Sequence, residues 1–132
     1  MSTFVKQSDV RQEEFDWGTI GWRCIPGNTG ARQIVVMDVT LEPGSGHDFH
    51  RHPGQEEMII VTSGRITQYL ERDSSTLNAG DSVYIDADMV HASFNEGDQT
   101  AHLQVVIGPS MGEDGYGLVD VSGEEPWASL RS

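Results

Sequence analysis

The feature that most constrains how this chain folds is a succession of short runs that are rich in β-branched residues. Turn-forming residues separate these runs from one another. From residue 32 onward the runs read RQIVVMDVTL, EEMIIVTSG, RITQYLE, DSVYIDA, HASFN and AHLQVVIG. Glycine, proline, asparagine or aspartate stands between most of them, as is typical where strands reverse direction. Short strands joined by turns favour an antiparallel sandwich or barrel over alternating βαβ units. The sequence therefore predicts an all-β fold.

Local signals refine this prediction. The stretch VTSGRIT predicts a hairpin with a tight turn at Gly64, and ERDSSTLNAGD predicts a second reversal. DVRQEEF, near the start, is the one candidate for a short helical turn. No repeat or linker divides the chain, so we expect residues 1–132 to form a single domain. This length buries a core without disulfides or a structural metal, so a bound metal is expected to be functional.

The composition limits the partners and the location of the protein. Twenty-one acidic residues face 8 basic ones, and the net charge of -13 should repel nucleic acid and anionic membranes. Cys24, the single cysteine, excludes an intrachain disulfide and fits a reducing compartment. The first residues lack the pattern of a secretory signal, and no run of eighteen apolar residues occurs. We therefore expect a cytoplasmic protein without a nucleic-acid or membrane partner.

The stretch HDFHRHPGQEEM, residues 47–58, concentrates three histidines and two glutamates. His50 and His52 are two positions apart, so in an extended segment both imidazoles point to one face. A strand that begins near Glu56 turns Glu57 inward beside them, together with apolar residues. An unpaired buried carboxylate is costly, and metal coordination removes that cost. The stretch therefore predicts a metal site.

Glycines frame these residues at regular spacing, and a similar arrangement follows later in the chain. The first segment reads Gly44, SGHDF, His50, Arg51, His52, PGQE, Glu57, MIIVTS and Gly64. The second segment reads Gly80, DSVYI, Asp86, Ala87, Asp88, MV, His91, ASF and Asn95.

Together these segments, about residues 44–95, resemble the two motifs of small single-domain cupins. The first motif is a glycine, five residues, His-x-His, three or four residues, a glutamate, six residues and a glycine, and every element is present. The second is a glycine, five residues, Pro-x-Gly, two residues, a histidine, three residues and an asparagine. Its inner proline and glycine are replaced here by Asp86 and Asp88. We interpret these two as a solvated turn, with steering of a cationic substrate as the alternative.

The resemblance implies a double-stranded β-helix, or jelly-roll barrel, with one divalent transition metal inside it. It also implies that His50, His52, Glu57 and His91 hold this ion. Three imidazoles and one carboxylate suit iron, manganese, nickel, zinc or cobalt. In a six-coordinate ion this set leaves two positions open for substrate, water or dioxygen.

Two other histidines and the C-terminal tail leave alternatives open. We interpret His47 as an exposed or rim residue and not as a ligand. His102 is either a satisfied structural histidine or a cavity-lining group, in which case it is the best candidate for a general base. The tail, residues 109–132, is interpreted as an irregular segment that packs on the barrel or on a partner subunit. Its apolar residues are Tyr116, Leu118, Val119, Val121 and Trp127.

The resemblance fixes the fold class more firmly than the reaction. Our first hypothesis is a metal-dependent enzyme on a small organic molecule, with a dioxygenase-like reaction ahead of a lyase or isomerase reaction. The alternative is a non-catalytic module that binds or senses a small ligand. Exposed strand edges, the apolar tail and the resemblance to small cupins together predict a homodimer.

Overall fold

The computed structural model describes residues 2–132, and within this range eleven strands form two antiparallel sheets. In spatial order, the six-stranded sheet contains β1 (Arg11–Phe15), β2 (Gly18–Cys24), β3 (Val35–Leu41), β10 (Ala101–Gly108), β5 (Glu56–Ser63) and β8 (Ser82–Ile85). The five-stranded sheet contains β11 (Val119–Asp120), β4 (Gly46–Arg51), β9 (His91–Phe94), β6 (Arg65–Leu70) and β7 (Asp73–Asn78). The helices are α1 (Pro26–Thr29), α2 (Trp127–Leu130) and a 3-10 turn (Gln7–Asp9).

The all-β prediction is confirmed, and the two sheets enclose a jelly-roll core. Burial alternates strictly along β3 and β10, as expected for strands with one face toward a core. In β10 the inward side chains are Leu103, Val105 and Ile107, which pack with inward residues of β3 and β5. Ile66 of β6 joins the same cluster, so apolar side chains of both sheets meet in one interior.

The predicted helical turn is wrong, and the predicted second reversal is present but contains a strand. DVRQEEF forms no helical turn, because its last five residues are the edge strand β1, which pairs with β2 from Arg11 opposite Trp22 to Phe15 opposite Gly18. Cross-strand pairing thus overrides the weak local helical signal. ERDSSTLNAGD is more than a reversal, because it contains β7, whose polar residues pair along the whole of β6. This strand lies at a sheet edge and is mostly exposed, so it lacks the apolar alternation by which strands are recognised.

The hairpin predicted at Gly64 is wrong, because β5 and β6 belong to different sheets, and the predicted tight turn at Gly64 carries the chain from one sheet to the other. Gly64 has φ +76°, and a Cβ there would lie 2.6 Å from the carbonyl oxygen of Thr100. Both the left-handed backbone and this close approach require glycine.

The C-terminal tail is more regular than expected. It adds β11 to the edge of β4 and ends in α2. Val121 is buried, Val119 and Trp127 pack beside it, and Leu118 is exposed. The segment therefore packs on the barrel of its own chain. None of the helices within residues 2–132 has the length and apolar character needed to cross a membrane.

Candidate metal centre

Three buried imidazoles converge where β4 and β9 pair. His50 lies on β4 directly opposite His91 on β9, and His52 follows immediately after β4 ends. Each of the three is at most 4% exposed. One ring nitrogen of each lies within 4.8 Å of those of the other two. Pairing of β4 with β9 thus brings together histidines that are about forty positions apart in the sequence.

A backbone carbonyl orients each of the three rings through its Nδ1 atom. A carbonyl oxygen only accepts hydrogen bonds, so Nδ1 carries a proton, and in the neutral ring Nε2 keeps its lone pair. This tautomer is the one that binds metals through Nε2, with a hydrogen bond behind the ring that fixes its direction. The pairs are His50 with Asp48 at 2.6 Å, His52 with Gly117 at 2.7 Å and His91 with Met89 at 3.0 Å.

The carboxylate of Glu57 faces the same point from β5. Its Oε1 lies 2.9 Å from Nε2 of His91 and 3.2 Å from Nε2 of His52, and Glu57 is 6% exposed. Neither Oε1 of Glu57 nor Nε2 of His91 has a hydrogen-bond partner of regular geometry. If the His91 ring is neutral, these contacts bring lone pairs together, so the arrangement requires a positive charge at this point. Burial would lower the pKa of His91, but Glu57 raises it above its usual value, so the charge is either a proton on Nε2 of His91 or a bound cation. The residues present therefore fit a cation.

Electrostatics at the site agree with this fit. Burial would raise the pKa of Glu57, but the adjacent His91 and His52 hold it well below its usual range, so the carboxylate is ionised. Burial and the neighbouring His47, His91 and His52 lower the pKa of His50 well below its usual value. Its imidazole is therefore neutral, as metal ligation requires.

The four donors lie in a largely apolar cavity of about 40 Å³, enough for roughly three water molecules. Within residues 2–132, no lysine or arginine lines this cavity. Three half-buried aromatic side chains, Trp17, His47 and Tyr116, are the lining residues with the most solvent contact. The remaining lining residues are Ile20, Met37, Val39, Leu41, Ile59, Ser93, Leu103, Val105 and Ile107.

His47 lies at the rim of this cavity, which is one of the two positions that the sequence suggested for it. Its ring is half-buried and not simply exposed. Its ring stacks on Trp17 at a centroid distance of 4.1 Å and on His50 at 3.8 Å. Burial is the main reason why its pKa falls to about 4. It is not among the three histidines whose nitrogens converge.

The interpretation of His102 as a cavity-lining residue is wrong. Its neighbours Leu103, Val105 and Ile107 face the cavity, so strand alternation directs His102 to the outer surface. There it is exposed, and its Nδ1 lies 3.4 Å from the Thr40 hydroxyl. His102 is not among the residues that line the cavity, which removes it as a general base there.

Asp86 and Asp88 lie in an exposed turn, which agrees with a solvated role. Asp88 has φ +68°, the left-handed conformation for which the second cupin motif provides glycine. Its carboxylate lies 3.4 Å from the Arg51 guanidinium and accepts a long hydrogen bond, also 3.4 Å, from the Gly54 amide. The aspartate thus fulfils the turn geometry and holds the loop after β4.

Sequence reasoning missed Gln55, which is 1% exposed and joins the C-terminal segment to the site. Its amide nitrogen donates to the carbonyls of Pro109, at 2.7 Å, and Gly115, at 3.1 Å. Its Oε1 accepts from the Gly117 amide at 3.0 Å, and the Gly117 carbonyl accepts from His52. The only local signal for this role was the presence of a polar residue between His52 and Glu57. The hydrogen-bond partners of Gln55 lie more than fifty positions away in the sequence.

Trp17 and Tyr116 were likewise not predicted as site residues. Trp17 lies in the turn between β1 and β2, and Tyr116 in the segment that Gln55 holds. The Tyr116 ring meets the His52 ring edge-on at a centroid distance of 5.2 Å. Burial, together with Glu57, Glu13 and Asp114, raises its pKa to about 12, so the hydroxyl stays protonated at neutral pH.

Comparison with solved structures supports the fold. A predicted oxalate decarboxylase from Thermotoga maritima superimposes with a TM-score of 0.73 at 18% sequence identity. The superposition covers 81% of this chain and 99% of that chain. At this identity the similarity establishes the architecture alone.

Sequence comparison identifies the family. Protein SchB of Streptomyces halstedii is 30% identical over 112 residues, which cover 85% of this chain and 81% of that protein. Polyketide synthase CurC of Streptomyces cyaneus is 30% identical over 95 residues, or 72% of this chain and 62% of that protein, so the match spans less than two thirds of CurC. The cupin domain family matches residues 37–108, more than half of the chain. The chain belongs to the cupin family.

Proposed function

We propose that this cupin is a mononuclear metal-dependent enzyme that acts on a small organic molecule. The observation that carries the proposal is the convergence of three imidazoles inside an apolar cavity, where two of them also contact the carboxylate oxygen of Glu57. His50, His52, His91 and Glu57 would hold one divalent transition metal. Such an ion supplies Lewis-acid or redox chemistry when bound.

The protein's own residues then have separable roles. Backbone carbonyls hold the three imidazoles in the ligating tautomer, and Glu57 provides the negative charge. The apolar walls limit water in the cavity, which strengthens the electrostatic interactions inside it. Tyr116, protonated and beside His52, is suited to donate a hydrogen bond or a proton to a substrate oxygen.

Among reactions, a dioxygenase-like one has the best support. The apolar cavity has room for a molecule as small as dioxygen beside the donors. A lyase or isomerase reaction is the second candidate, because the protonated Tyr116 lies at the same cavity. The similarity to an oxalate decarboxylase agrees with the second candidate only at the level of the fold.

The name of the relative CurC, a polyketide synthase, suggests the kind of substrate. Polyketides carry repeated carbonyl or hydroxyl oxygens, and neighbouring oxygens of this kind chelate divalent metals. We therefore extend the proposal to an oxygen-rich carbon skeleton. A non-catalytic binding or sensing role predicts that such a molecule binds without turnover.

The proposal is tested by loading the protein with iron(II) without oxygen and adding nitric oxide, a mimic of dioxygen. Open coordination positions predict a new optical absorption and a new paramagnetic signal. His91→Ala should lose the response, whereas His102→Ala, a histidine on the outer face, should keep it. A fully iron-loaded protein that does not respond contradicts the dioxygenase-like reaction. A response without oxygen consumption on catechols, flavonols, β-diketones or thiols favours the lyase, isomerase or binding alternatives.

The homodimer and the cytoplasmic location stay predictions. Ile34 and Tyr84, 47% and 48% exposed, lie beside a groove on the outer face of the six-stranded sheet. Such apolar exposure is typical of interaction surfaces. Sedimentation equilibrium should give twice the 14.5 kDa mass of one chain, and a single-chain mass would contradict the prediction.

A further inference from the structure

A continuous aromatic stack leads from the surface to the candidate metal centre. Phe15 stacks on Trp17 with ring centroids 5.4 Å apart and an interplanar angle of 13°. Trp17 stacks on His47 at 4.1 Å and 2°, and His47 stacks on His50 at 3.8 Å and 17°. The indole of Trp17 therefore occupies a flat position directly over His47, at the mouth of the cavity.

The cavity is too small for most organic substrates while this indole is in place. Its volume of about 40 Å³ accommodates roughly three water molecules. Trp17 lies in a two-residue turn between β2 and the edge strand β1, so it is attached to the most peripheral part of the sheet. Trp22, in contrast, is buried and donates a hydrogen bond of 3.0 Å to Glu13. Of these two tryptophans at this end of the barrel, Trp17 is the one placed to move.

The charge around the cavity disfavours anionic ligands. No lysine or arginine within residues 2–132 lines it, and Glu13, Asp114 and Asp120 lie close enough to the mouth to affect Tyr116 or His47. Three neutral imidazoles and one carboxylate leave a divalent ion with one net positive charge. A ligand that arrives uncharged and loses one proton on chelation neutralises this charge, whereas a dianion leaves an excess negative charge in an apolar cavity.

From these observations we propose that Trp17 is a gate, and that the flat, uncharged ring of the substrate takes the place of its indole on His47. The ring carries two adjacent oxygens, of the catechol or enolised diketone type, that would bind the ion held by the four donors. This inference rests on the proposed function, because it assigns the substrate class of the same site. Trp17 is then the residue that determines specificity for the size of the ring, whereas the acidic surroundings of the cavity determine specificity for its charge.

The test uses the zinc-loaded protein, because zinc permits binding without redox turnover, and 2,3-dihydroxynaphthalene as the uncharged flat probe. Binding is followed by the fluorescence of the probe in rapid mixing and by calorimetry, with oxalate as the anionic comparison. The naphthalenediol should bind at least about tenfold more tightly than oxalate. Trp17→Ala should increase the association rate about tenfold, as expected if roughly a tenth of the wild-type molecules are open.

Trp17→Phe should give an intermediate rate, and Trp127→Phe, which removes an indole outside the cavity, should match the wild type. An unchanged rate in Trp17→Ala overturns the gate, and equal affinity for oxalate overturns the substrate class. Zinc content is measured on the same samples. Full zinc without binding of the ring overturns this inference and leaves the proposed function intact. A wild type without zinc contradicts the proposed function, and the rates of the metal-free proteins then decide whether Trp17 is a gate.

Discussion

The donors of the candidate metal centre and the aromatic residues at its mouth differ in where they come from and how they are held. The donors lie between residues 50 and 91 on or beside β4, β5 and β9, and all four are buried. Trp17 and Tyr116 come from a turn near the start and from a segment near the end of the chain, and both are half-buried.

Under the proposed function, this difference separates the residues that would hold the metal from those that would select the substrate. Each imidazole has one nitrogen fixed by a carbonyl, so the donor geometry is preorganised by the central strands. The mouth residues lie on connections, which tolerate movement and sequence change better than strands do. Under the proposed function, changes near the two ends of the chain would alter the choice of substrate while the donors stay in place.

Gln55 joins the two regions, so replacing it gives the largest effect on stability that we expect. Gln55→Leu leaves the amide of Gly117 and two carbonyls without partners inside the protein, which should reduce the free energy of unfolding by about 3 kcal/mol. Because His52 loses the support of Gly117, metal affinity should fall between about tenfold and a hundredfold. Chemical denaturation and metal titration measure the two effects. Gln104→Leu, on the outer face, is the control, and equal losses in both variants would argue against a role in the site.

Metal removal tests whether the strands hold the donors without the ion. We expect the free energy of unfolding to fall by about 2.7 kcal/mol when metal had been present at a hundred times its dissociation constant. The apo protein should stay folded, because the buried apolar core includes none of the four donors. Thermal unfolding and far-ultraviolet circular dichroism measure this. Loss of the β spectrum on chelation at room temperature would make the ion structural.

Charged groups also hold the C-terminal end of the chain on the barrel, and we expect their contribution to stability to be small. Arg131 lies 3.4 Å from the centroid of the Phe94 ring and donates a 3.0 Å hydrogen bond to Glu96. Hydrogen bonds from Thr67 and Arg131 lower the pKa of Glu96 below its ordinary 4.5. The contribution is therefore present above pH 4.5 and is lost as the pH falls through the lowered pKa.

For this exposed pair, the coupling should be below about 1 kcal/mol. Denaturation of Arg131→Met, Glu96→Gln and the double variant at pH 7 and at pH 3 measures it. A coupling that is as large at pH 3 as at pH 7 would show that the ion pair is not its source.

We expect the protein not to bind nucleic acid. The charge of -13 and the dispersed basic residues provide no stripe from which DNA binding could release counterions. A gel-shift titration at physiological salt with micromolar protein should show free DNA only. A salt-sensitive shifted band would contradict the prediction.

Strand alternation is the part of the site that the sequence predicts, because this pattern is local. Period-two alternation places Glu57, Ile59 and Val61 on one buried face, and the structure agrees. The same rule, applied to β10, assigns His102 to the face opposite Leu103, but it does not say which face is inside until the neighbouring strands are known.

The residues at the mouth of the cavity could not be predicted, because contacts between distant parts of the sequence bring them there. Tyr116 reaches the site through hydrogen bonds between Gln55 and residues more than fifty positions away. The strand before Trp17 carries exposed charged residues and lacks an apolar alternation that would place it beside the cavity. Only the pairing of β1 with β2 and of β2 with β3 fixes that position.

The central claim, that three histidines and Glu57 hold one ion, is tested most directly by elemental analysis of matched preparations. Wild type and His102→Ala should each contain about one transition metal per chain, because His102 lies on the outer face. His91→Ala should contain almost none, since its ring closes the donor set opposite His50. Equal metal content in wild type and His91→Ala would contradict the assignment of this site.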